Sequence, residues 1–312
     1  MVAQPLIELI DLSRQFKDLS AVDHLNLSIP QGELFGLVGP DGAGKTTTLR
    51  LLAGLLTISS GRAFIAGHEL TTHPEAVKSL IGYMAQDFSL YSKLTVMENL
   101  LFFAAVYQVP RQVQNKRIDR LLDFAGLDTF KNRRAAHLSG GMKKKLALAC
   151  TLIHQPQLLL LDEPTTGVDP VSRREFWQIL TELHLEGTTI LVTTPYMDEA
   201  DRCGRVGLMY QGKLIHCDSP QAIRAQLQGE IVQLVTDQRE KAQRLIRQLT
   251  GIKEVQTYGN ALHILVDSGP KRLPAIKTCL EKAGLAVDTL RRAPTRMEEA
   301  FISLIRTQEK EE

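Results

Sequence analysis

The sequence predicts an α/β domain followed by a smaller α+β domain, and three observations support that fold class. Strand-like apolar segments alternate with segments of helical periodicity through the first two-thirds of the chain. The apolar runs at 158–161 and 190–192 lack polar alternation, as expected of strands that helices cover on both faces. After residue 227 the segments follow the order βαββαβ. We therefore expect a central, largely parallel sheet in the first domain.

The first domain, residues 1–227, is predicted to begin with two strands that alternate apolar and polar residues, at 6–16 and 21–29. We expect these two strands to form a separate antiparallel layer. A nearly continuous apolar strand at 32–39 then ends in a glycine-rich loop. Helical patterns follow at 45–56, 74–80, 95–109, 111–125, 139–155, 170–186 and 196–202, with strands at 81–86, 157–164 and 188–194.

The second domain, residues 228–312, is predicted to be ferredoxin-like because of its element order. Its strand pair turns at Gly259-Asn260, and its last helix covers 295–306. The other segments are a strand at 230–237, helices at 239–249 and 271–284, and a strand at 286–293. The charged tail "TQEKEE" at 307–312 is expected to be disordered.

The composition is that of an ordinary soluble globular protein, with 44% hydrophobic and 23% charged residues. A net charge of +2 and only 5% aromatic residues argue against nucleic acid as a partner. We expect no signal peptide and no bilayer-spanning segment, which would need about 20 apolar residues. The four cysteines lack metal-site or disulfide spacing, which fits a reducing compartment; they are Cys150, Cys203, Cys217 and Cys279.

The segment "GPDGAGKTT" lies between a predicted strand and a predicted helix and matches G-x-x-x-x-G-K-[ST], a phosphate-binding pattern. Gly42 and Gly44 let the backbone curl so that successive N–H groups point inward. Lys45 is expected to reach the terminal phosphates, and the Thr46 hydroxyl is expected to ligate Mg²⁺. The expected nucleotide-contacting residues of this loop are Gly39, Pro40, Asp41, Gly42, Ala43, Gly44, Lys45, Thr46 and Thr47.

The segment "LLLLDEP" ends a buried strand in two carboxylates. Asp162 is expected to serve the metal, and Glu163 to polarise an attacking water as a catalytic residue. The alternative is that both acids are solvated surface charges, and the preceding run of four leucines argues against it.

The segment "HLSGGMKKKLALAC" predicts a second phosphate site at a helix start. Ser139 fits an N-cap, and Gly140 and Gly141 are expected to expose backbone N–H groups. Because the first loop is expected to bind all the phosphates of one nucleotide, the second site is expected to serve a nucleotide held by another chain. The alternative is a simple capped amphipathic helix.

These motifs, followed by "TTGVDP", together resemble the nucleotide-binding domain of an ABC transporter. More narrowly, the sequence is similar to the ATP-binding subunits of drug- and antibiotic-export systems, including their tandem two-domain relatives. The resemblance covers about 6–225 and extends to 293–305. It implies a P-loop NTPase fold of ABC type, with a mixed-sheet core, an antiparallel layer and a helical subdomain at about 88–155, and it implies ATP and Mg²⁺ as ligands.

The resemblance also assigns roles to single residues. Phe16 would stack on adenine, although a strand-end core phenylalanine is the alternative. Gln86 would sense Mg²⁺ and the attacking water, and Asp169 would help link two nucleotide sites. The opposite subunit's γ-phosphate would be capped by Ser139, Gly140, Gly141 and Met142. Two positions depart mildly from the family, which commonly has glutamine at Met142 and asparagine at Asp41.

Pro195 marks the main departure from that family. The "TT" that ends the strand is followed in the family by a histidine that contacts the γ-phosphate, and the downstream "YMDEA" fixes the register on Pro195. No slip rescues the position, since the nearest histidines are His184 and His216. We expect firm ATP binding and slow hydrolysis. The alternative is that Thr194 or Tyr196 supplies a hydroxyl and turnover is normal.

The function that the resemblance implies is that of the energy-coupling ATPase of a membrane exporter, peripheral on the cytoplasmic face. Membrane permease subunits would dock at 87–100, and a second, unlike nucleotide-binding half would complete the sites in a heterodimer or tandem chain. One alternative is an ATP-gated regulatory module with little hydrolysis; another is a soluble ABC-type ATPase. The βαββαβ domain would have a regulatory or dimer-contact role, or would serve as a stabilising cap.

Overall fold

The computed structural model describes residues 5–87 and 90–311 of the chain. They fall into two compact units, which divide between Pro220 and Gln221, slightly ahead of the predicted boundary at 227. Residues 88–89, in the predicted permease-facing loop and at the start of the predicted helical subdomain, lie outside the described part of the chain, as do 1–4 and 312.

The elements up to Ala225 are the following strands and α-helices, and the last helix, α8, spans the division. The strands are Pro5–Phe16 (β1), Leu19–Pro30 (β2), Leu34–Val38 (β3), Ser60–Ile65 (β4), His68–Glu69 (β5), Ile81–Met84 (β6), Leu158–Asp162 (β7), Thr189–Thr194 (β8), Arg205–Tyr210 (β9) and Lys213–Asp218 (β10). The helices are Lys45–Leu52 (α1), Pro74–Leu80 (α2), Val96–Val106 (α3), Arg111–Phe124 (α4), Gly140–Leu152 (α5), Pro170–Leu185 (α6), Met197–Ala200 (α7) and Pro220–Ala225 (α8).

The central sheet has the order β10-β9-β3-β8-β7-β6, and the predicted, largely parallel arrangement is confirmed. Only the edge strand β10 runs antiparallel to its neighbour. The register places Val38 beside Thr194, and Asp162 beside Thr193. The carboxyl ends of β3, β7 and β8 therefore meet at one edge, where ligands of such sheets bind.

A second sheet, of order β2-β1-β4-β5, is antiparallel and packs on the first through a shared apolar core. The predicted antiparallel layer is thus confirmed for β1 and β2, and the sheet also contains β4 and β5, which the sequence pattern did not indicate. Helices α3, α4 and α5 enclose a separate core that includes Leu100, Ile118 and Leu146. Helix α3 begins with a reciprocal capping box between Thr95 and Glu98.

The second unit contains a four-stranded antiparallel sheet of order β12-β13-β11-β14. This is the strand order of the predicted ferredoxin-like fold. Two helices cover one face of the sheet, and the apolar core between them and the sheet includes Val232, Ile264 and Ile276. The elements are Glu230–Val235 (β11), Arg239–Ile246 (α9), Ile252–Tyr258 (β12), Ala261–Val266 (β13), Gly269–Lys282 (α10), Thr289–Ala293 (β14) and Met297–Glu311 (α11).

The expectation of a disordered tail at 307–312 is wrong for its described residues, because α11 continues to Glu311. Glutamine, glutamate and lysine are strong helix formers, so a short charged segment can prolong a helix that tertiary packing has already begun. Within the described ranges, no helix is both long and apolar enough to cross a bilayer.

Candidate functional site

The glycine-rich loop at 39–47 leaves β3 and opens α1. Gly42 and Gly44 have φ values of +78° and +101°, which glycine adopts without steric cost. A Cβ at Gly44 would lie 2.4 Å from the carbonyl oxygen of Ala21, and one at Gly39 would lie 2.2 Å from that of Met209. Close backbone packing therefore requires glycine at both positions.

A pocket of about 740 Å³ opens over this loop. Phe16 forms part of its wall and is 40% exposed, so the alternative of a core phenylalanine is wrong. The Arg14 guanidinium lies 4.5 Å from the centre of the Phe16 ring. The remaining lining residues include Leu19, Ser20, Ala21, Gln86, Glu163, Gln211 and residues 41–47 of the loop.

Lys45 is a buried cation at the base of the pocket, 4% exposed. Its Nζ donates hydrogen bonds to the carbonyl oxygens of Gly39 (2.8 Å) and Pro40 (2.9 Å) and lies 3.6 Å from Glu163 Oε1. Burial lowers the pKa of Lys45 below its ordinary value, and the charges of Glu163 and Asp41 oppose that shift. The ammonium group is therefore held where an additional anion would favour its charged form.

Asp162 is fully buried at the end of β7, and its two carboxylate oxygens differ. Oδ1 accepts hydrogen bonds from the hydroxyls of Thr46 and Thr193, each at 2.9 Å. Oδ2 is buried without a hydrogen-bond partner among the described residues. A buried, unpaired carboxylate oxygen beside a threonine hydroxyl fits a hard cation, because Mg²⁺ takes oxygen ligands and offsets the desolvation of the charge. The residues present therefore fit the predicted Mg²⁺.

Glu163 has a φ of +45°, an uncommon conformation for a residue with a side chain. Its Oε2 accepts hydrogen bonds from Gln86 Nε2 (3.0 Å) and Thr166 Oγ1 (3.3 Å). Such conformations cluster at functional sites, where the surrounding contacts hold them in place. The structure thus brings Gln86, Lys45 and Glu163 together, while Asp162 faces Thr46.

The second predicted group lies at the start of α5 and is absent from the residues that line the pocket. Ser139 is the N-cap of α5, accepting the N–H of Met142 at 3.3 Å, as predicted. Gly140 is exposed, whereas Gly141 is buried. A Cβ on Gly141 would lie 2.4 Å from Ser172 Oγ, which shows how closely α5 packs on α6.

Asp169 is likewise absent from the pocket lining and caps α6. Its Oδ1 accepts the N–H groups of Ser172 (3.0 Å) and Val171 (3.1 Å). The hydrogen bond from Ser172 is the main cause that holds the pKa of Asp169 below its ordinary value. Within one chain, then, Asp169 organises a helix end.

Pro195 follows β8, and the hydrogen bonds around it are already made. Thr194 is 1% exposed; its hydroxyl donates to Glu199 Oε2 at 2.6 Å and accepts the Tyr196 N–H at 3.0 Å. Glu199 Oε1 accepts a hydrogen bond from Thr165 at 2.7 Å. Because Thr194 has already donated its only hydroxyl hydrogen, it is a poor substitute for the missing imidazole donor.

Sequence reasoning missed two contributors to this region, Thr193 and Lys144. Thr193 lies in a strand buried on both faces, so polar alternation gave no signal, and only its register opposite Asp162 reveals it. Lys144 donates from Nζ to the carbonyl oxygen of Gln86 at 2.7 Å, and burial lowers its pKa. Lys144 is the middle one of three consecutive lysines, so the sequence alone did not distinguish it from a solvated surface lysine.

The comparisons with known proteins agree with this geometry. Residues 22–166 match the family model described as ABC transporter. The chain is 45% identical over 223 residues to the probable multidrug ABC transporter ATP-binding protein YbhF of Escherichia coli (strain K12), covering 72% of this chain and 39% of that protein. It therefore spans well under half of that relative's length.

Two further proteins extend the match. The daunorubicin/doxorubicin resistance ATP-binding protein DrrA of Streptomyces peucetius is 33% identical over 303 residues, covering 96% of this chain and 92% of that protein. The ATP-binding cassette MJ0796, solved as a dimer in a post-hydrolysis state with ADP and Pi, superposes with a TM-score of 0.61 at 26% identity, covering 68% of this chain and 98% of that chain. Similarity over almost the full length of a relative, together with this pocket, shows that the chain belongs to the ATP-binding proteins of ABC transporters.

Proposed function

We propose that this chain binds and hydrolyses ATP to drive export by a membrane permease. The observation that carries the proposal is the meeting of Lys45, Thr46, Asp162 and Glu163 at one edge of the central sheet, with Gln86 beside them. The names of the relatives support export, since they are described as multidrug transport and daunorubicin/doxorubicin resistance proteins.

In the proposed reaction, the backbone N–H groups of residues 41–47 cradle the phosphates, and the Lys45 ammonium pairs with their charge. Thr46 and Asp162 would hold Mg²⁺, which would neutralise charge on the phosphate oxygens. Glu163 accepts a proton from the attacking water, and Gln86, at 3.0 Å, orients that carboxylate. Phe16 stacks on the adenine at the exposed side of the pocket.

The proposed motor also needs a second nucleotide-binding domain, on another subunit or in the other half of a tandem chain. Ser139, Gly140, Gly141 and Met142 lie at the start of α5 and do not line this chain's pocket. We infer that they close over the γ-phosphate of a nucleotide held by a second nucleotide-binding domain, and that Asp169 lies near the junction of the two domains. Closure of two such domains around ATP would be the movement that is transmitted to the membrane.

A permease docking surface is supported by aromatic residues on α3 and just before it. Tyr91 and Phe102 have ring centres 4.3 Å apart, and Phe103 contacts both. Leu101 and Val106 are also exposed on this helix. A short amphipathic segment of a permease at the cytoplasmic face of the membrane would cover this patch, because exposed apolar clusters mark interaction sites.

We infer that hydrolysis in this chain is impaired by Pro195. Proline has neither an imidazole nor a backbone N–H to offer the transferring phosphate, and Thr194 already donates its hydrogen to Glu199. Loss of one positioned donor slows turnover by about 10²–10³. The defect favours unlike halves, because a homodimer would carry it at both sites.

The experiment is steady-state ATP turnover of the purified chain with Mg²⁺, compared with Pro195→His and Pro195→Ala. We expect Pro195→His to be faster and Pro195→Ala to stay close to the original chain, because alanine restores the backbone N–H but supplies no side-chain donor. Glu163→Gln is the inactive control. Equal, robust rates in the original chain and Pro195→His would contradict the impairment and indicate a working homodimeric motor.

An ATP-gated regulatory module with little hydrolysis is the second candidate, and Pro195 is the observation that favours it. The intact hydrogen bonds of Glu163 oppose it. ATP binding without turnover in the original chain, in Pro195→His and in a chain co-expressed with its permease would select this candidate over the motor.

A further inference from the structure

Thr193 is fully buried at the end of β8, between the two acidic residues of the site. Its hydroxyl donates to Asp162 Oδ1 at 2.9 Å and accepts the backbone N–H of Glu163 at 3.0 Å. A hydroxyl has a single hydrogen, so the contact with the Leu161 carbonyl oxygen at 3.5 Å is the weaker choice of acceptor. One side chain therefore connects both acids.

The first consequence concerns the direction of the Asp162 carboxylate. Both of its donors, Thr46 and Thr193, bind Oδ1, which leaves Oδ2 buried and unpaired. Thr46 is itself a predicted Mg²⁺ ligand, so Thr193 is the one of the two donors that is not also expected to bind the metal. Partners of this kind fix the orientation of a metal-ligating side chain.

The second consequence concerns the backbone of Glu163. A φ of +45° is unfavourable for a glutamate and persists only where neighbouring contacts enforce it. The N–H of this buried residue needs a partner, and Thr193 supplies it. The strand register, which sets Thr193 beside Asp162, makes both hydrogen bonds possible from one position.

We propose that Thr193 is a positioning residue that directs Asp162 Oδ2 toward Mg²⁺ and holds Glu163 in its catalytic backbone conformation. This inference rests on the proposed function. It assigns to a residue outside the nucleotide-binding motifs the task of coupling the metal ligand to the water-activating carboxylate.

The test compares Thr193→Val, which keeps the shape and removes the hydroxyl, with Thr193→Ser, which keeps the hydroxyl. Binding of a fluorescent ATP analogue is titrated with Mg²⁺ and repeated in EDTA, and Mn²⁺ electron paramagnetic resonance follows the metal directly. We expect Thr193→Val to raise the Mg²⁺ concentration for half-maximal binding about 10- to 100-fold, with binding in EDTA unchanged. Thr193→Ser should restore the original Mg²⁺ dependence.

Thr189→Val is the matched control, since Thr189 is a buried threonine of the same strand whose hydroxyl accepts a hydrogen bond from Gly32 N–H. It should leave the Mg²⁺ dependence unchanged. An unshifted Thr193→Val, or an equal shift in Thr189→Val, would overturn the proposal while leaving the proposed function intact. If the original chain bound nucleotide without any Mg²⁺ dependence, the proposed function would fail first, and this inference with it. If Thr193→Val does not fold, the same Mg²⁺ titration is made with Thr193→Cys, whose thiol is a weaker donor of similar size.

Discussion

Asp162 and Glu163 are neighbours in the chain, yet their carboxylates serve different parts of the site. Asp162 ends the extended strand β7 and binds Thr46 and Thr193. At Glu163 the backbone turns to a φ of +45°, and the side chain reaches Gln86 and Lys45 instead. The sequence predicted both roles from residue type and spacing. The turn that separates them was not predictable, because it depends on a hydroxyl 30 residues away.

Gly141 lets α5 pack closely on α6 within this chain. An added Cβ would lie 2.4 Å from Ser172 Oγ and 2.5 Å from Ser172 Cβ. We expect Gly141→Ala to lower the free energy of unfolding by about 1–3 kcal/mol, the usual effect of overpacking. Thermal unfolding followed by Trp177 fluorescence on α6 would measure it.

Gly140→Ala is the control for that prediction, since a Cβ there meets no atom closer than 4.0 Å. It should be neutral or stabilise the chain by up to about 1 kcal/mol, because alanine loses less backbone entropy on folding than glycine. Adding Ser172→Gly to Gly141→Ala should recover part of the loss. A Gly141→Ala chain as stable as Gly140→Ala would show that α5 and α6 adjust freely.

At the scale of elements, the sequence predicted the strands that are buried on both faces and the helices with clear apolar periodicity. It did not indicate β4, β5, β9 or β10. β4 begins with the exposed residues Ser60, Gly61 and Arg62, and β5 has only two residues, so neither shows a strand pattern. β10 is partly exposed throughout and is held mainly by pairing with β9, a tertiary effect that no local pattern reveals.

Helix α11 is attached to the sheet of the second unit through Glu299. Glu299, in the first turn of α11, accepts the Arg296 N–H at 2.7 Å and contacts His263 Nδ1 at 2.5 Å, and both side chains of that pair are buried. We expect Glu299→Ala to destabilise the second unit by roughly 1–3 kcal/mol, because the buried His263 Nδ1 loses its hydrogen-bond partner. Urea unfolding followed by circular dichroism would measure this.

Glu298→Ala is the matched control for Glu299→Ala, because it removes a carboxylate from the same helix turn without touching His263. Its effect should be only that of losing a negative charge at a helix N-terminus, about 0.3–1 kcal/mol. A double variant, His263→Phe with Glu299→Ala, should recover stability relative to Glu299→Ala alone. Equal losses for the two glutamates would mean that the pair contributes nothing specific.

At the scale of the whole molecule, the division between Pro220 and Gln221 separates a unit with the nucleotide pocket from a unit without the motifs for one. The only tryptophan of the sequence, Trp177, is buried in the first unit. Tryptophan fluorescence therefore reports unfolding of the first unit alone, whereas far-ultraviolet circular dichroism reports both. The two signals can separate the response of each unit to a ligand.

We expect ATP with Mg²⁺ to raise the fluorescence-detected Tm and to leave a second, dichroism-detected transition in place. A ligand at 100 times its Kd stabilises the unit that binds it by about 2.7 kcal/mol. For a unit of this size that corresponds to roughly 5–10 °C. Lys45→Ala should abolish most of the shift, because the phosphates lose their buried cation, and EDTA should reduce it. If both transitions rose together, the two units would unfold as one cooperative body, and the expectation of separate transitions would be wrong.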